Sequence, residues 1–486
     1  MNKKIFNIRK NYSELSKEVK SSIWYTFCNL MQKGIGFIVV PILTRILTTS
    51  EYGIYNIFLS WIQLFEIIVT LRLSWGTYIV GLTKHKNDRD RYTASLQSLS
   101  ICIISISAII YFYFEDFFYN LLGLPTNMVL LIFLTLYTMP AIGFWSSRQK
   151  VEFKYKQMVL VTLLMSVFIP ILGFIFIFNM NENKYEGMIY SRLIIQAIVA
   201  VFIIYFCYKK SFVFFNKRYW INALKTNIPL VPYYYSLVLL ITIDKIMIGD
   251  MISTSKAGIY SVAFSMGMVM QIFNSSLNSS IQPWLFRKLN EKKYGGISKN
   301  IVLFTVAIIF VNLILIALAP ELVRIMAPVE YYEAIWIIPP MAVSVVIMFI
   351  YQHFVNIEFY FEASKNIAIA SIAAVIIKII LNLWLLPIYG YLVAGYTTVI
   401  SYIIFAIAHY LFMLKICYKN KCNEKIIDIK MILLSFGVFI IISSILTLGY
   451  INNEIRYIFI LISIIVIFLK RNQIIMSYKN LKNKDI

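Results

Sequence analysis

The chain has 486 residues, of which 60% are hydrophobic and only 14% are charged, and its mean hydropathy is +0.76. A water-soluble domain of this composition would expose large apolar patches, so the composition excludes a soluble protein. At about 30 to 35 residues for each spanning helix and its loop, the length accommodates about fourteen transmembrane helices. The hydrophobicity is continuous rather than alternating, which excludes an outer-membrane barrel. The sequence therefore predicts an all-α polytopic membrane protein.

Apolar windows bounded by polar clusters predict fourteen helices. In chain order they cover residues 21–43, 52–75, 95–114, 127–146, 158–178, 187–208, 226–247, 257–281, 300–319, 333–357, 367–386, 390–413, 430–449 and 453–469. This pattern predicts the following domains: an N-terminal tail at 1–20, an N-lobe of helices 1 to 6 at 21–208, an inter-lobe loop at 209–225, a C-lobe of helices 7 to 12 at 226–413, helices 13 and 14 at 430–469, and a basic tail at 470–486.

The formal net charge is +22, from 45 Lys and Arg against 23 Asp and Glu. The large majority of these cations fall in the two tails and in alternate connections on one side of the predicted helices. The positive-inside rule then places both termini in the cytoplasm and explains the charge without a nucleic-acid partner. The five cysteines have no metal-ligand spacing, so we expect no disulfide, metal or other cofactor.

A short segment occurs twice. Residues 47–60 align without gaps to residues 252–265, and both copies join two predicted helices on the outward side. Six helices separate the copies, so the two halves have the same orientation and form a parallel repeat. Thr48 and Glu51 have capping-box spacing, so an alternative is that the two copies share only helix-start chemistry. Two six-helix lobes around a central cavity are an architecture for alternating access.

Ionisable and amide side chains inside spans are candidate functional residues because they are expensive in a bilayer. Snorkelling to head groups is an ordinary explanation for three cations near helix ends, Arg72, Arg192 and Lys245. The positions singled out are Asn29, Lys33 and Arg45 on the first helix, Glu66 on the second, Asp244 on the seventh, Glu358 in the polar cluster of the tenth and Lys378 on the eleventh. The balance among the deep residues is basic, which favours an anionic head group as cargo.

The eighth helix has the clearest polar stripe. Its members recur at helical spacing down one face: Gln271, Asn274, Ser275, Asn278 and Gln282. We expect this face to line a water-filled cavity. The alternative is that these amides and hydroxyls bridge to a neighbouring helix.

Three passages resemble a known group of proteins. Residues 41–47 with 51–55, residues 244–249 with 257–260, and residues 379–383 with 386–396 are similar to signatures of bacterial polysaccharide flippases of the multidrug/oligosaccharidyl-lipid/polysaccharide (MOP) exporter superfamily. In the third passage, Val393-Ala394-Gly395 departs from the usual Gly-Ala order. The resemblance covers nearly the whole chain and agrees with the helix count.

The resemblance implies a flippase in the bacterial inner membrane that moves an undecaprenyl-diphosphate-linked oligosaccharide for O-antigen or capsule assembly, in contact with membrane lipids and polysaccharide polymerase machinery. Under this interpretation the protein is not an enzyme. We expect Lys33, Arg45 and Lys378 to contact the diphosphate, and Asn29, Gln271, Asn274 and Asn278 to contact sugars. Glu66, Asp244 and Glu358 are candidates for ion coupling or gating.

Two rival functions remain open from the sequence. A drug/cation antiporter of the same superfamily would favour a more acidic or apolar cavity. A membrane-embedded polysaccharide polymerase or acyl transferase would need a sizeable outer loop or a His/Asp or His/Glu constellation. The chain offers only three histidines for such a site, His85, His353 and His409.

Overall fold

The computed structural model describes residues 16–420, 422 and 426–465, without the side chains of residues 364 and 365. Within these residues thirteen helices are long and apolar enough to cross a membrane. They are α1 (Lys17–Ile46), α2 (Thr49–Thr70), α3 (Arg89–Tyr113), α4 (Thr126–Val151), α5 (Tyr155–Asn179), α6 (Tyr185–Lys210), α7 (Val231–Met251), α8 (Thr254–Asn290), α9 (Ile297–Ala317), α10 (Ile338–Tyr360), α11 (Ser364–Tyr389), α12 (Val393–Lys419) and α13 (Ile429–Leu448).

A fourteenth helix, α14, occupies residues 453–465. The end of the predicted helix 453–469, the basic tail and most of the N-terminal tail lie outside the described residues. Each of the other thirteen predicted spans coincides with an observed long helix, which confirms the all-α polytopic fold. The protein is therefore a multi-pass membrane protein.

The connections contain short helices that the span prediction did not include. These are Gly76–Lys84, Glu115–Leu122, Lys217–Asn227 and Ala319–Met326. A 3₁₀ turn at Ile228–Leu230 falls inside the predicted seventh span, and another at Val329–Trp336 overlaps the start of the predicted tenth span. The first and third short helices pack on α3 and α4 around Tyr78, Tyr92 and Phe144. This packing covers the apolar face of both short helices. Because the helix Lys217–Asn227 overlaps the predicted inter-lobe loop at 209–225, that loop is partly helical.

The second helix ends earlier than the sequence predicts. Prediction extended it to residue 75, but α2 stops at Thr70 because Leu71 and Arg72 both take positive φ angles, 50° and 47°. The hydroxyl oxygen of Thr70 accepts a hydrogen bond from the backbone N–H of Arg72 at 3.2 Å. Arg72 therefore lies in a turn, where its guanidinium is 4.3 Å from the ring centroid of Trp75.

The contacts divide the chain into two compact units. The first comprises residues 1–261 and 368–394, and so contains α1 to α7 and most of α11. The second comprises residues 262–367 and 395–486, which include most of α8, α9, α10 and α12 to α14. The lobes at 21–208 and 226–413 stay a prediction.

The two copies of the repeated segment touch each other inside the first unit. A Cβ atom on Gly53 of α2 would lie 1.8 Å from the carbonyl oxygen of Thr254, and one on Gly258 of α8 would lie 2.1 Å from the carbonyl oxygen of Thr49. No side chain fits at either distance, so glycine is required at both positions for the helix starts to cross. This requirement explains why glycine recurs at the same place in both copies.

Side-chain hydrogen bonds at this crossing are reciprocal. The Thr49 hydroxyl lies 2.7 Å from that of Ser255, and the Ser50 hydroxyl lies 2.7 Å from that of Thr254. Exchanging the two aligned copies converts one bond into the other, as expected of a repeat. The predicted capping box is confirmed, since Thr48 and Glu51 bond each other's backbone N–H. Helix capping therefore explains Thr48, whereas helix crossing explains the glycines.

We expect Gly53→Ala to destabilise the protein by at least about 1–3 kcal/mol, because the added methyl group overpacks a backbone contact. Thermal unfolding in detergent measures the change. Gly36→Ala is the matched control, because a Cβ at this α1 position meets no atom within 4 Å. Equal unfolding temperatures for the two variants would contradict the close crossing.

Candidate functional site

The first helix carries an exposed ammonium group near its centre. Lys33 lies about 24 Å from the start of α1 and about 20 Å from its end at 1.5 Å per residue. Its side chain is exposed, and no carboxylate among the described residues pairs with it. Asn29, one turn earlier, is also exposed. Arg45 is exposed near the end of α1, where it donates to the carbonyl oxygen of Pro41 at 2.7 Å.

Glu66 lines a small cavity in the first unit. The cavity has a volume of about 210 Å³, and its polar lining includes Thr70, Ser74, Ser100 and Gln196. The Ser100 hydroxyl is buried without a hydrogen-bond partner in the described structure. A half-buried carboxylate among hydroxyl and amide oxygens has the chemistry of a site for a proton or a small cation. The coupling role of Glu66 stays a prediction.

Asp244 and Lys378 form a buried ion pair. The Lys378 ammonium lies 2.7 Å from a carboxylate oxygen of Asp244, and the two side chains are 1% and 2% exposed. The ammonium also donates to the carbonyl oxygen of Leu240 at 2.6 Å. Asn382 and Tyr260 donate to the two Asp244 oxygens at 2.8 and 2.6 Å. These bonds satisfy a charge pair that would otherwise be costly in this environment.

This network joins three helices, because Asp244 lies on α7, Tyr260 on α8, and Lys378 and Asn382 on α11. The sequence analysis predicted Lys378 as a diphosphate ligand and Asp244 as a candidate for ion coupling or gating. In this conformation each is the other's partner. Diphosphate contact by Lys378 stays a prediction, but these contacts favour a role in holding α7 and α11 together.

Three amides in the polar stripe of α8 contact α10, whereas Ser275 of the same stripe is exposed. Asn274 is fully buried and donates to the carbonyl oxygen of Val345 at 2.8 Å. The Asn278 side-chain oxygen accepts from Asn356 at 2.8 Å, and Gln271 lies 3.3 Å from the sulfur of Met348. These contacts correspond to the bridging alternative for the three amides. Their predicted role in sugar binding stays a prediction.

Glu358 pairs with a histidine that the sequence did not connect to it. A Glu358 carboxylate oxygen lies 2.6 Å from Nδ1 of His409 on α12, and neither side chain is exposed. The second carboxylate oxygen and Nε2 of His409 have no hydrogen-bond partner among the described residues. His353, five residues before Glu358 on α10, packs edge-on against Phe349. Glu358 and His409 form a His/Glu pair of the kind an enzyme would need, but both side chains are fully buried.

Arg456 is a second feature that sequence reasoning missed. Its guanidinium donates to both carboxylate oxygens of Glu321 at 2.8 and 3.0 Å, although only 1% of the Arg456 side chain is exposed. It also donates to the carbonyl oxygens of Ala317 and Gly449. The bonds fasten the turn between α13 and α14 to the end of α9. Position near a helix end made Arg456 look like an ordinary loop cation.

These elements define a class of protein, namely a polytopic helical membrane protein with charged side chains held inside its spans. Solved structures share the fold. Lipid II flippase MurJ, in an inward closed conformation, aligns with a TM-score of 0.71 at 16% identity over 93% of this chain and all of that chain. An inward-facing multidrug resistance transporter of the MATE family in the MOP superfamily aligns with a TM-score of 0.64 at 13% identity over 80% of this chain and 96% of that one.

The family is established by sequence. The family model described as polysaccharide biosynthesis protein matches residues 19–289, more than half of the chain. The chain belongs to this family. Lsg locus putative protein 1 of Haemophilus influenzae is a relative, 24% identical over 388 residues, which are 75% of this chain and 90% of the relative. The resemblance found in the sequence motifs is thereby confirmed.

We expect Lys378→Met to destabilise the protein by about 3–5 kcal/mol, because it leaves the Asp244 carboxylate buried and unpaired. Adding Asp244→Asn should restore most of the loss, since asparagine removes the charge and keeps an acceptor for Asn382. Thermal unfolding and transport are measured on the same preparations. A double variant that recovers both properties supports a pairing role, whereas one that folds but does not transport supports a ligand role for Lys378. Failure to recover stability would contradict the ion-pair account.

We expect Arg456→Ala to cost about 3 kcal/mol of stability, because it leaves buried carbonyl oxygens without donors. Arg456→Lys is the control and should lose less, since it keeps the charge without the bidentate fork. Partial burial raises the pKa of Glu321, but hydrogen bonds from Arg456, from the backbone and from Tyr457, together with the charge of Arg456, outweigh it and hold this pKa below the usual 4.5.

The carboxyl of Glu321 is therefore more acidic in the folded protein than in the unfolded chain. Its contribution to stability is present at neutral pH and is lost as the pH falls from 4.5 through the folded pKa. Unfolding of the wild type and of Arg456→Ala is measured at several pH values. The difference in stability between them should shrink in acid as Glu321 is protonated, while the part that comes from the unpaired carbonyl oxygens remains. A difference in stability that stays constant below pH 4.5 would contradict this assignment.

Proposed function

We propose that the protein is a flippase that moves an undecaprenyl-diphosphate-linked oligosaccharide repeat unit from the inner to the outer leaflet of the bacterial cytoplasmic membrane. Transport would proceed by alternating access and would supply a surface polysaccharide such as O-antigen or capsule. Two findings support the proposal. The chain belongs to a family described by polysaccharide biosynthesis, and its fold is shared with a protein named a lipid II flippase.

The observation that carries the proposal is the position of Lys33. An ammonium group at the centre of a spanning helix costs about 2.5–3.5 kcal/mol on insertion scales. A lysine at such a depth faces water or an anion, because an apolar environment would leave its charge uncompensated. Lys33 is exposed rather than paired with a carboxylate of the described residues. A water-filled path along α1 that admits an anionic group explains the exposed charge of Lys33 at this depth.

The other groups on α1 suit the same cargo. Arg45 presents a guanidinium, whose planar donors match phosphate oxygens in a bidentate geometry. Asn29 adds an amide with both donor and acceptor atoms, which suits sugar hydroxyls. We therefore retain Lys33 and Arg45 as diphosphate ligands and Asn29 as a sugar ligand, and we expect polysaccharide polymerase machinery to act on the product.

Orientation follows from the distribution of Lys and Arg along the chain. The connections after α2, α4, α6 and α8, counted together with the helix ends that flank them, are rich in these cations, and those after α1, α3, α5 and α7 are not. We infer that both termini lie in the cytoplasm. Lys33 then lies mid-membrane, and Arg45 lies near the outer surface, so the two cations would meet the diphosphate at different depths during transport.

We expect Lys33→Ala to reduce transport by at least about tenfold, because it removes a charged hydrogen-bond donor to the diphosphate. The assay uses purified protein in vesicles loaded with a polyprenyl-diphosphate-linked oligosaccharide, and a lectin added outside reports its arrival in the outer leaflet. Lys17→Ala is the matched control, because Lys17 is an exposed lysine on the same helix at its first residue.

Equal transport by the two variants would remove Lys33 from the site. The same vesicles distinguish the rival functions. Export of a cationic drug without movement of the lipid-linked sugar would favour an antiporter, and polymerised or acylated product in the vesicles would favour an enzyme. Either result would overturn the proposed function.

A further inference from the structure

A second cavity lies within the first unit, separate from Lys33, Arg45 and Glu66. Its volume is about 540 Å³, and it is lined by residues of α3, α4, α5 and α6 at the ends where these helices meet the basic connections. Arg148 lies three residues before the end of α4, Lys154 directly precedes α5, and Lys210 is the last residue of α6. By the charge distribution this is the cytoplasmic end, at the depth of lipid head groups.

The charged side of the cavity has an excess of cations. Arg148 is held at 2.6 Å from Asp90 and at 2.7 Å from Glu152, and Lys154 lies 2.6 Å from the second oxygen of Glu152. Partial burial raises the pKa of Glu152, but the hydrogen bonds from Lys154 and Arg148 outweigh it and lower this pKa. Lys210 lines the same cavity with no ion-pair partner among the described residues. An anion in this cavity contacts Arg148 and Lys154, which their carboxylate partners hold in place, and the unpaired ammonium group of Lys210.

Buried amides in the wall have unused hydrogen-bonding atoms. Gln97 and Gln149 line the cavity and are 2% and 6% exposed. The side-chain nitrogen of Gln97 and the side-chain oxygen of Gln149 have no partner in the described structure. A buried amide without a partner is costly, so a donor and an acceptor at one wall indicate a polar occupant. Hydroxyl groups satisfy both, because each hydroxyl donates and accepts.

The opposite side of the cavity is apolar and open. Phe202 and Phe206 of α6 line it and are 61% and 56% exposed. Exposed phenylalanines on a spanning helix are suited to contact with acyl or prenyl chains. Trp145 adds an aromatic surface beside the cations. The lining is therefore amphipathic, with cations and amides at one side and a lipid-facing surface at the other.

We propose that this cavity binds the head group of a membrane lipid that carries both a phosphate and hydroxyl groups. Phosphate oxygens accept from Lys210 and Arg148, hydroxyls bond Gln97 and Gln149, and the lipid tail lies along Phe202 and Phe206. Phosphatidylglycerol and a polyprenyl-diphosphate-linked sugar are two lipids with this chemistry. The site is distinct from the α1 cations and does not depend on the proposed transport.

Cys207 provides a local probe because it lines the cavity. In a chain whose other four cysteines are replaced by alanine, the rate of maleimide labelling at Cys207 is measured in three kinds of vesicle. These contain phosphatidylcholine alone, phosphatidylcholine with phosphatidylglycerol, or phosphatidylcholine with a polyprenyl-diphosphate-linked disaccharide. We expect one or both added lipids to slow labelling by about tenfold, and Lys210→Met to abolish the effect, because a charge-assisted bond is lost.

Lys209→Met is the matched control, since Lys209 neighbours Lys210 on α6 but does not line the cavity. It should leave the protection unchanged. Stronger protection by the diphosphate lipid identifies a loading position for cargo, and stronger protection by phosphatidylglycerol identifies a resident phospholipid. Equal labelling in all three vesicles, or equal effects of the two lysine variants, would overturn the proposal and leave a cavity filled by water alone. Flipping by the same variants is scored separately, so failure of one proposal does not imply failure of the other.

Discussion

The buried ion pair of Asp244 and Lys378 shows the constraint on which the rest of the structure depends: a polar group inside the bilayer must be satisfied by a specific partner. The Lys378 ammonium and the Asp244 carboxylate lie 2.7 Å apart, and they form further hydrogen bonds with Leu240, Asn382 and Tyr260. Glu358 and His409 meet the same constraint only in part, because one carboxylate oxygen and Nδ1 pair while the other two polar atoms have no partner among the described residues. Polar groups without such partners are therefore informative, and they include Lys33 and groups in the Glu66 cavity and in the cavity of α3 to α6.

Close packing of backbone atoms at the repeated segment is a second constraint, and it also restricts which residues can occupy particular positions. The crossing of α2 and α8 brings backbone atoms so close that only glycine fits at positions 53 and 258. Hydroxyl groups on either side bond reciprocally, so the start of each helix is fixed by the other. Such a junction has little freedom to deform. It gives the first unit a rigid point from which α1, α2 and α7 extend.

The helices were predictable from the sequence because long apolar runs are an unambiguous signal, and the Thr48–Glu51 cap was predictable because its spacing is a local property. The end of α2 was not, since Leu71 and Arg72 adopt left-handed conformations with no glycine to signal them. Helical spacing found the polar face of α8 but not its neighbour, because periodicity identifies a face without showing what covers it. Partners distant in the chain, such as Glu358 and His409, have no signal in a single sequence.

The central claim is that the protein moves a lipid-linked oligosaccharide between leaflets. The most direct test is to deplete the protein in its native cell and to quantify lipid-diphosphate-linked oligosaccharide in each leaflet, together with surface polysaccharide. The account predicts that full-length units accumulate in the cytoplasmic leaflet while surface polymer is lost. Units that reach the outer leaflet and remain unpolymerised would contradict it.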